Sequence, residues 1–241
     1  MKTLVVIPTY NEKENIASII DAVLGHENFE VLILDDGSHD GTADIVKSKM
    51  HQSGERVHLI EREGKQGLGT AYIRGFKFGL EKGYDFICEM DADFSHDPAD
   101  LLRLRAACLE GGDLAVGSRY VKGGGLQNWP RNRIFISRGG AFYVQCLTWM
   151  PVKDPTAGFI CYKSDVLRSI NLDKIQFTGY AFQIEMKYVA WKLGFKIVEV
   201  PIIFKDRELG KSKMNSSIIT EAVRGVLKLR FRNIRQFYGQ S

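Results

Sequence analysis

Short apolar runs alternate with longer amphipathic stretches through the first half of the chain. Thr3–Ile7, Glu30–Leu34, Val57–Ile60, Phe86–Met90 and Leu114–Val116 are rich in Val, Ile and Leu and bounded by turn residues, the pattern of buried strands. Between them, Glu14–Leu24, Thr42–Met50, Leu68–Glu81 and Pro98–Leu109 repeat apolar positions at helical spacing. This order predicts an α/β fold, a mainly parallel sheet with helices on both faces. Such open sheets bind ligands beyond the carboxyl ends of their strands. The residues that follow each run are therefore where chemistry is expected.

Each of those positions is polar. Pro8-Thr-Tyr-Asn-Glu12 follows the first run, Asp35-Asp-Gly-Ser38 the second and Glu63-Gly-Lys-Gln-Gly-Leu-Gly69 the third. Asp91-Ala-Asp93 follows the fourth and Gly117-Ser-Arg119 the fifth. One polar cluster at a strand end is common; five in succession describe a site.

The second half is less regular. Between Ser118 and Lys153 there is no acidic residue, while Arg119, Lys122, Arg131, Arg133, Arg138 and Lys153 are basic. Gly123-Gly-Gly125 predicts a flexible loop and Ile134–Met150 an aromatic-rich helix. Phe159–Tyr162 follows as a strand, Tyr180–Leu193 as a helix and Lys196–Phe204 as a strand. A basic loop from Lys205 to Lys213 then leads into a final helix from Ser216 to about Arg235. With no repeat or low-complexity linker, residues 1–241 form one domain. Within it, 1–118 is the nucleotide-binding half, 119–214 the acceptor side and 215–241 a basic amphipathic helix.

Composition narrows the classes. The 241 residues carry 33 Lys+Arg against 29 Asp+Glu, a formal charge of +4, with 44% hydrophobic and 26% charged residues, which excludes a disordered or collagen-like chain. The longest charge-free stretch, Gly139–Val152, is 14 residues, short of the ~20 a bilayer span needs. No signal peptide is expected after Met1, and Cys88, Cys108, Cys146 and Cys161 show neither metal nor disulfide spacing. A reduced, cytoplasmic protein is expected, without a nucleic-acid partner.

Asp91 and Asp93, two apart on extended backbone, project to the same side. Two hard carboxylates so placed suit Mg²⁺ or Mn²⁺ whose other positions go to water and substrate phosphates. The plainer alternative, that they sit in the loop before a helix capped by Asp97 and begun by Pro98, explains Asp97 only. Gly64–Gly69 opens a helix whose first N–H groups suit phosphate, or serves only as a tight turn. Asp35 and Asp36 either cap the following helix or accept hydrogen bonds from a base and ribose.

Taken with these, Val6-Ile-Pro-Thr-Tyr-Asn-Glu12, Asp35-Asp-Gly-Ser-His-Asp-Gly-Thr42, Gly67-Leu-Gly-Thr-Ala71, Met90-Asp-Ala-Asp93 and Gly117-Ser-Arg-Tyr120 resemble family 2 glycosyltransferases of the GT-A (Rossmann-like) fold. The likeness narrows to polyprenol (dolichyl) phosphate mannosyltransferases through Ile136-Ser-Arg-Gly139, Asp154-Pro-Thr-Ala-Gly-Phe159, Gly179-Tyr-Ala-Phe-Gln-Ile-Glu185 and Asp206-Arg-Glu-Leu-Gly-Lys-Ser-Lys213. The resemblance spans about residues 3–225. It implies that Pro8, Tyr10, Glu12, Leu34 and Asp36 hold the donor nucleoside, with Lys65 close by. Asp91 and Asp93 would hold the metal, with Ala92 against the ribose; Arg207 and Lys213 would close over the donor phosphates. Arg119, Arg133 and Ser137 would receive the acceptor phosphate, and Gln183 and Glu185 fall near the donor sugar. Some members carry a metal-assisting Gln where this chain has Ser95. Longer members carry C-terminal membrane spans, whereas this chain resembles the short type.

The implied reaction is inverting transfer of mannose from GDP-mannose to a polyprenyl phosphate. A phosphomonoester is already anionic at neutral pH, so no carboxylate need deprotonate it. The demand falls instead on cations: Arg207, Lys213 and the metal at the leaving diphosphate, Arg119 and Arg133 at the acceptor. A lipid acceptor implies a peripheral location on the cytosolic membrane face. The final helix sets Ile218, Ile219, Ala222, Val223, Val226 and Leu227 against Arg224, Lys228, Arg232 and Arg235; Arg230 breaks the division. Basic residues near an anionic surface supply ~1 kcal/mol each. The aromatic helix would add apolar area, and a membrane-embedded partner protein could add more. A UDP-glucose-dependent polyprenyl-phosphate glucosyltransferase shares the same site logic. A pyrophosphorylase would need a Gly-rich loop after the first strand, and a non-catalytic membrane adaptor would not need the aspartates.

Overall fold

The computed structural model describes residues 1–179, 181–206 and 225–240. Its main sheet has seven strands: β1 (Thr3–Thr9), β2 (Phe29–Asp35), β3 (Val57–Glu61), β4 (Phe86–Glu89), β5 (Leu114–Ser118), β7 (Ile160–Lys163) and β8 (Ile197–Pro201). They lie in the order β3-β2-β1-β4-β7-β5-β8. All neighbours pair in parallel except β7, which is antiparallel to β4 and β5. The carboxyl ends of the other six therefore share one edge, and the lead-in to β7 reaches that same edge from the opposite direction. This single reversed strand brings Asp154–Phe159 to the end of β5, where Gly117 N–H donates to the Phe159 carbonyl at 2.8 Å.

Strand alternation sorts the core into two layers. Leu4, Val6, Leu32, Leu34 and Ile87 pack with Tyr72 and Phe76 of α3 (Leu68–Glu81) and with Phe182 and Met186 of α7 (Ala181–Leu193). Val5, Ile7, Val31, Ile33 and Cys88 pack on the other face with α1 (Ile16–Leu24), α2 (Thr42–Ser53) and α4 (Asp100–Leu109). α3 lies so close to the sheet that a Cβ at Gly75 would come within 2.4 Å of Val6. A third, smaller cluster joins Val144 of α5 (Arg131–Thr148), Ile184 of α7 and Val226 of α8, whose described part is 225–231.

The expected strands and helices of the first half are present, α3 with the expected bounds. The predicted run Lys196–Phe204 is two strands: β8 pairs with β5, then β9 (Ile203–Lys205) leaves to pair with β6 (Gly125–Gln127). Pro201 at the junction lacks an N–H, and Ile202 N–H donates to the Ser118 carbonyl as the chain switches sheets. The Gly123–Gly125 segment is thus tied at Gly125 rather than being loop throughout. β6 and α6 (Ser164–Ser169) are too short for periodicity to reveal. α5 begins at Arg131 and stops at Thr148, where Trp149 takes a left-handed φ of 57°. No described helix is long and apolar enough to cross a membrane. α9 (Ile234–Tyr238) closes the described chain.

Candidate active site

At the end of β4 the two aspartates differ. Asp91 keeps 43% of its side chain exposed and faces the edge. Asp93 is buried, with one oxygen accepting the Ser95 amide at 3.0 Å. Between them and Ser95, Phe94 holds φ at 58°, a left-handed conformation costly for a bulky residue and one that turns the chain sharply. His96 packs beneath, stacked on Phe159 with centroids 4.7 Å apart, its Nδ1 4.0 Å from an Asp91 oxygen. Burial pushes its pKa down to about 4, so it is neutral. Ala92 is buried in the sheet core. Ser95 is committed through its backbone, accepting from Lys205 N–H at 3.1 Å.

This donor set is two carboxylates with a neutral imidazole behind them. Among the described residues no group of three or more His, Cys, Asp or Glu could hold a metal. An all-protein zinc cage is therefore not what the residues fit. An ion that shares two carboxylates and keeps positions for water and phosphate does fit.

On the β1–β3 side, Tyr10 and Lys65 come together, the ammonium 3.7 Å from the ring centroid. Asp36 is held by Arg62, whose Nε donates at 2.6 Å while Nη1 donates to Thr70. Burial raises the Asp36 carboxyl and the guanidinium opposes that shift. Asp35 turns inward, accepting from Thr9 and from the amide and hydroxyl of Ser38, so it fixes the turn rather than capping α2. The N-cap of α2 is Gly41, and Asp40 just before it takes the Thr42 amide. Pro8 and Glu12 are half-buried beside this turn. The Leu34 side chain is fully buried in the core, with its backbone near the edge. Of the two readings of the Gly64–Gly69 turn, the contacts of Gly67 and Gly69 favour a packed turn. Gly69 N–H donates to the Thr178 carbonyl at 2.8 Å, and a Cβ there would lie 2.6 Å from the Phe177 carbonyl. Gly67 and Gly69 serve close packing against Thr178 and Phe177, Gly64 supplies a left-handed φ of 142°, and the Gly69 amide is already satisfied.

Beyond β5 the acceptor-side residues gather around two aromatic rings. Arg119 forks onto Asp154, Nε and Nη2 donating at 2.7 and 2.6 Å, and its own amide donates to the same carboxylate. The pair is buried, 10% and 0% exposed. Nε and Nη2 of Arg119, which the resemblance assigns to the acceptor phosphate, thus meet a carboxylate. Arg133 stacks 3.7 Å over Trp129 and donates to Asp206 at 2.8 Å. Ser137 accepts from the Tyr120 hydroxyl at 2.7 Å, and the Arg119 guanidinium lies 5.2 Å from the Tyr120 ring. Arg119, Arg133 and Ser137 thus share one cluster.

Gln183 and Glu185 sit beneath the edge, not on it. Gln183 is buried and its amide donates to Glu89, which also accepts from Tyr162 at 2.9 Å. Lys187 donates to the Ala157 carbonyl at 2.6 Å. Burial pushes Glu89 up to about 7 and Lys187 down to about 8, each opposed by the other's charge. Glu185 takes the Gln176 and Phe177 amides and the Tyr238 hydroxyl, tying α9 to the body. Arg207, Lys213 and the helix residues before 225 lie outside the described residues. Sequence reasoning missed Arg62, His96, Trp129 and the Glu89–Lys187 pair. His96, three residues past Asp93, and Trp129, before Pro130, had local cues; Arg62 and Lys187 had none.

The model of the family described as "Glycosyl transferase family 2" matches residues 4–170. The chain is 45% identical over 225 residues to polyprenol monophosphomannose synthase of Mycolicibacterium smegmatis, covering 92% of this chain and 84% of that one. It is also 45% identical over 232 residues to undecaprenyl-phosphate mannosyltransferase of Micrococcus luteus, covering 95% and 93%. Among solved structures, glucosyl-3-phosphoglycerate synthase of Mycobacterium tuberculosis, crystallised with Mn²⁺, UDP and phosphoglyceric acid, superposes with a TM-score of 0.69 at 18% identity. That superposition covers 95% of this chain and 78% of that one, and supports the GT-A-type fold.

Proposed function

Because the chain belongs to glycosyl transferase family 2 and is a glycosyltransferase, we propose that it transfers mannose from GDP-mannose to a polyprenyl phosphate at the cytosolic face of a membrane. The observation that carries this reading is one sheet edge that bears two unlike clusters. A carboxylate pair, Asp91 exposed and Asp93 buried, lies after β4, and an arginine–aromatic cluster lies after β5 and on α5. The names of its two 45% relatives support a polyprenyl phosphate acceptor and mannose as the sugar.

Tyr10, Lys65 and Asp36 bind the nucleoside, with Arg62 setting the Asp36 carboxylate. Asp91 and Asp93 hold Mg²⁺ or Mn²⁺, which when bound supplies Lewis-acid stabilisation of the diphosphate. Arg133 and Ser137, from successive turns of α5, receive the acceptor phosphate. Arg119, locked to Asp154, acts as a positioning residue that fixes Tyr120 against Ser137. One phosphate oxygen attacks the anomeric carbon as the bond to the GDP β-phosphate oxygen breaks; GDP leaves as an anion and the configuration inverts. At neutral pH the phosphomonoester, with its second pKa near 6, brings its own nucleophilic charge. Glu89, Glu185 and His96, all buried, are not needed as a base.

Incubation with labelled GDP-mannose and a short polyprenyl phosphate tests this. Label passing into an organic-extractable, acid-labile product supports the reading. Transfer from UDP-glucose and not from GDP-mannose overturns the donor, and transfer from neither overturns the activity.

A further inference from the structure

Trp129 carries an indole N–H with nothing to donate to. Its nitrogen is closed off from solvent and has no hydrogen-bond partner among the described residues. An indole nitrogen donates and never accepts, and a buried one ordinarily finds an acceptor. A buried donor left over inside a cluster of polar groups calls for an explanation, and a ligand supplies one.

The turn that carries Trp129 is rigid. Asn128 before it takes a left-handed φ of 64°, and Pro130 after it is the N-cap of α5. A proline also confines the residue ahead of it to extended backbone. The Phe204 ring meets the indole edge-on with centroids 5.6 Å apart, and the Arg133 guanidinium lies 3.7 Å from the indole centroid. Trp129, Arg133 and Ser137 are spaced by four in the sequence. The stack of Arg133 on Trp129 thus extends one side of α5 back into the turn. α5 has no side-chain cap and no acid in its first turn, so the positive end of its dipole also faces this cluster.

Donors outnumber acceptors here. Asp154 is committed to Arg119, and Asp206 to Nη1 of Arg133. A guanidinium has four further N–H groups beyond the one in such a bond. Ser137 accepts from the Tyr120 hydroxyl, which leaves its own proton to donate. An anion with several acceptor oxygens complements Arg133, Ser137 and Trp129 together, and a phosphomonoester brings three.

We propose that the Trp129 indole N–H is a direct ligand of the acceptor phosphate, engaged as that phosphate displaces Asp206 from Arg133. This rests on the polyprenyl-phosphate reading and deepens it. The two side chains divide the work. Arg133 supplies charge, and the indole, fixed by its turn, supplies direction by holding one oxygen so that another faces the anomeric carbon. A neutral donor also draws off less of the phosphate's charge than a second guanidinium would, so the nucleophile is oriented without being quenched.

The test uses the full chain with ¹⁵N-labelled tryptophan, which gives indole resonances for Trp129, Trp149 and Trp191. The resonance missing from Trp129→Phe is that of Trp129. With GDP and Mg²⁺ present, it moves downfield on titration with a short, water-soluble isoprenyl phosphate, and less with inorganic phosphate. Trp129→Phe keeps a ring for Arg133 and Phe204 to pack on. It raises KM for the isoprenyl phosphate about 10–100-fold, the size of a lost hydrogen bond to a charged group. Its KM for GDP-mannose and its melting temperature stay near the parent's. A ring that serves packing alone gives the reverse, a lower melting temperature with an unchanged acceptor KM.

An acceptor KM in Trp129→Phe equal to the parent's overturns the proposal. So does a Trp129 resonance that ignores the isoprenyl phosphate while the parent transfers mannose to it, and either result leaves the activity standing. A resonance that moves with both phosphates in a chain without transfer supports the anion site and removes the acceptor reading. An unmoved resonance together with no transfer overturns both.

Discussion

The two halves of the site hold their charges in opposite ways. On the β4 side the Asp91 carboxylate is directed outward, 43% exposed at a strand end. On the β5 side the principal guanidinium is closed inward, Arg119 locked to a fully buried Asp154. A second pair, Arg133–Asp206, sits between these extremes, about a third exposed on both partners. An exposed carboxylate is available to a cation from solution. A buried fork is scaffold, because opening it would strand a charge in low dielectric. Arg133, whose pair is partly exposed, can exchange its carboxylate for a phosphate at less cost than the buried fork.

That contrast is broken most severely at the aspartates. Asp93→Ala lowers transfer by at least ~1,000-fold, the scale of removing electrostatic stabilisation from the leaving group, measured as label incorporated at saturating substrates. Turnover near the parent's would show that this side does not hold the diphosphate.

Arg119→Ala is expected to destabilise the fold by ~3–5 kcal/mol, since it leaves Asp154 buried and unpaired, measured by urea denaturation. Arg119→Met combined with Asp154→Leu restores most of that stability without restoring full transfer, because Tyr120 is no longer held against Ser137. Full recovery of transfer in the double variant would reduce Arg119 to packing alone.

Arg133→Ala tests the exposed pair. The loss of stability is under ~1 kcal/mol, while the KM for polyprenyl phosphate rises ~10–100-fold and the KM for the sugar nucleotide stays put. Equal effects on both substrates would remove the distinction between the two arginines.

An effect on stability alone concerns the buried layer beneath. Burial pushes Lys187 down to about 8 from its ordinary 10.5. Between those values the unfolded chain still binds a proton that the folded chain has released, so the contribution of this one group to stability rises with pH across that window, by roughly 2–3 kcal/mol. The buried Cys108, Cys161 and tyrosines, whose folded pKa values are raised, contribute in the opposite direction. Lys187→Met removes this rise. A difference between parent and Lys187→Met stability that stays flat from pH 8 to 10.5 would contradict the buried, neutralised lysine.

What could be read from the chain follows the same division. The parallel strands announced themselves, because burial on both faces demands unbroken runs such as Val31–Leu34, and their polar termini followed directly. Asp91 and Asp93 were legible for that reason, being local to one strand end. Arg119 was visible as a basic residue, but its partner is 35 positions away. It arrives through β7, a reversed strand that no periodicity distinguishes from a parallel one. Leu34 illustrates a further limit: a motif position next to a ligand can contribute backbone while its side chain belongs to the core. Gln183 and Glu185 lie on a helix buried along most of its length, where hydrophobic pattern does not tell a site-lining face from a core-facing one. The switch at Pro201 was written in the sequence as a proline inside a strand-like run, a signal of interruption.

The central claim is that Asp91 and Asp93 together hold a divalent ion against a nucleoside diphosphate. Calorimetric titration of the full chain with GDP, in Mn²⁺ and then in EDTA, addresses it directly when repeated on Asp91→Asn/Asp93→Asn. The account predicts that EDTA weakens GDP binding at least ~10-fold in the parent and leaves the weaker binding of the variant unchanged. GDP affinity in the parent that is indifferent to EDTA, or a variant that keeps the parent's Mn²⁺ response, would contradict it.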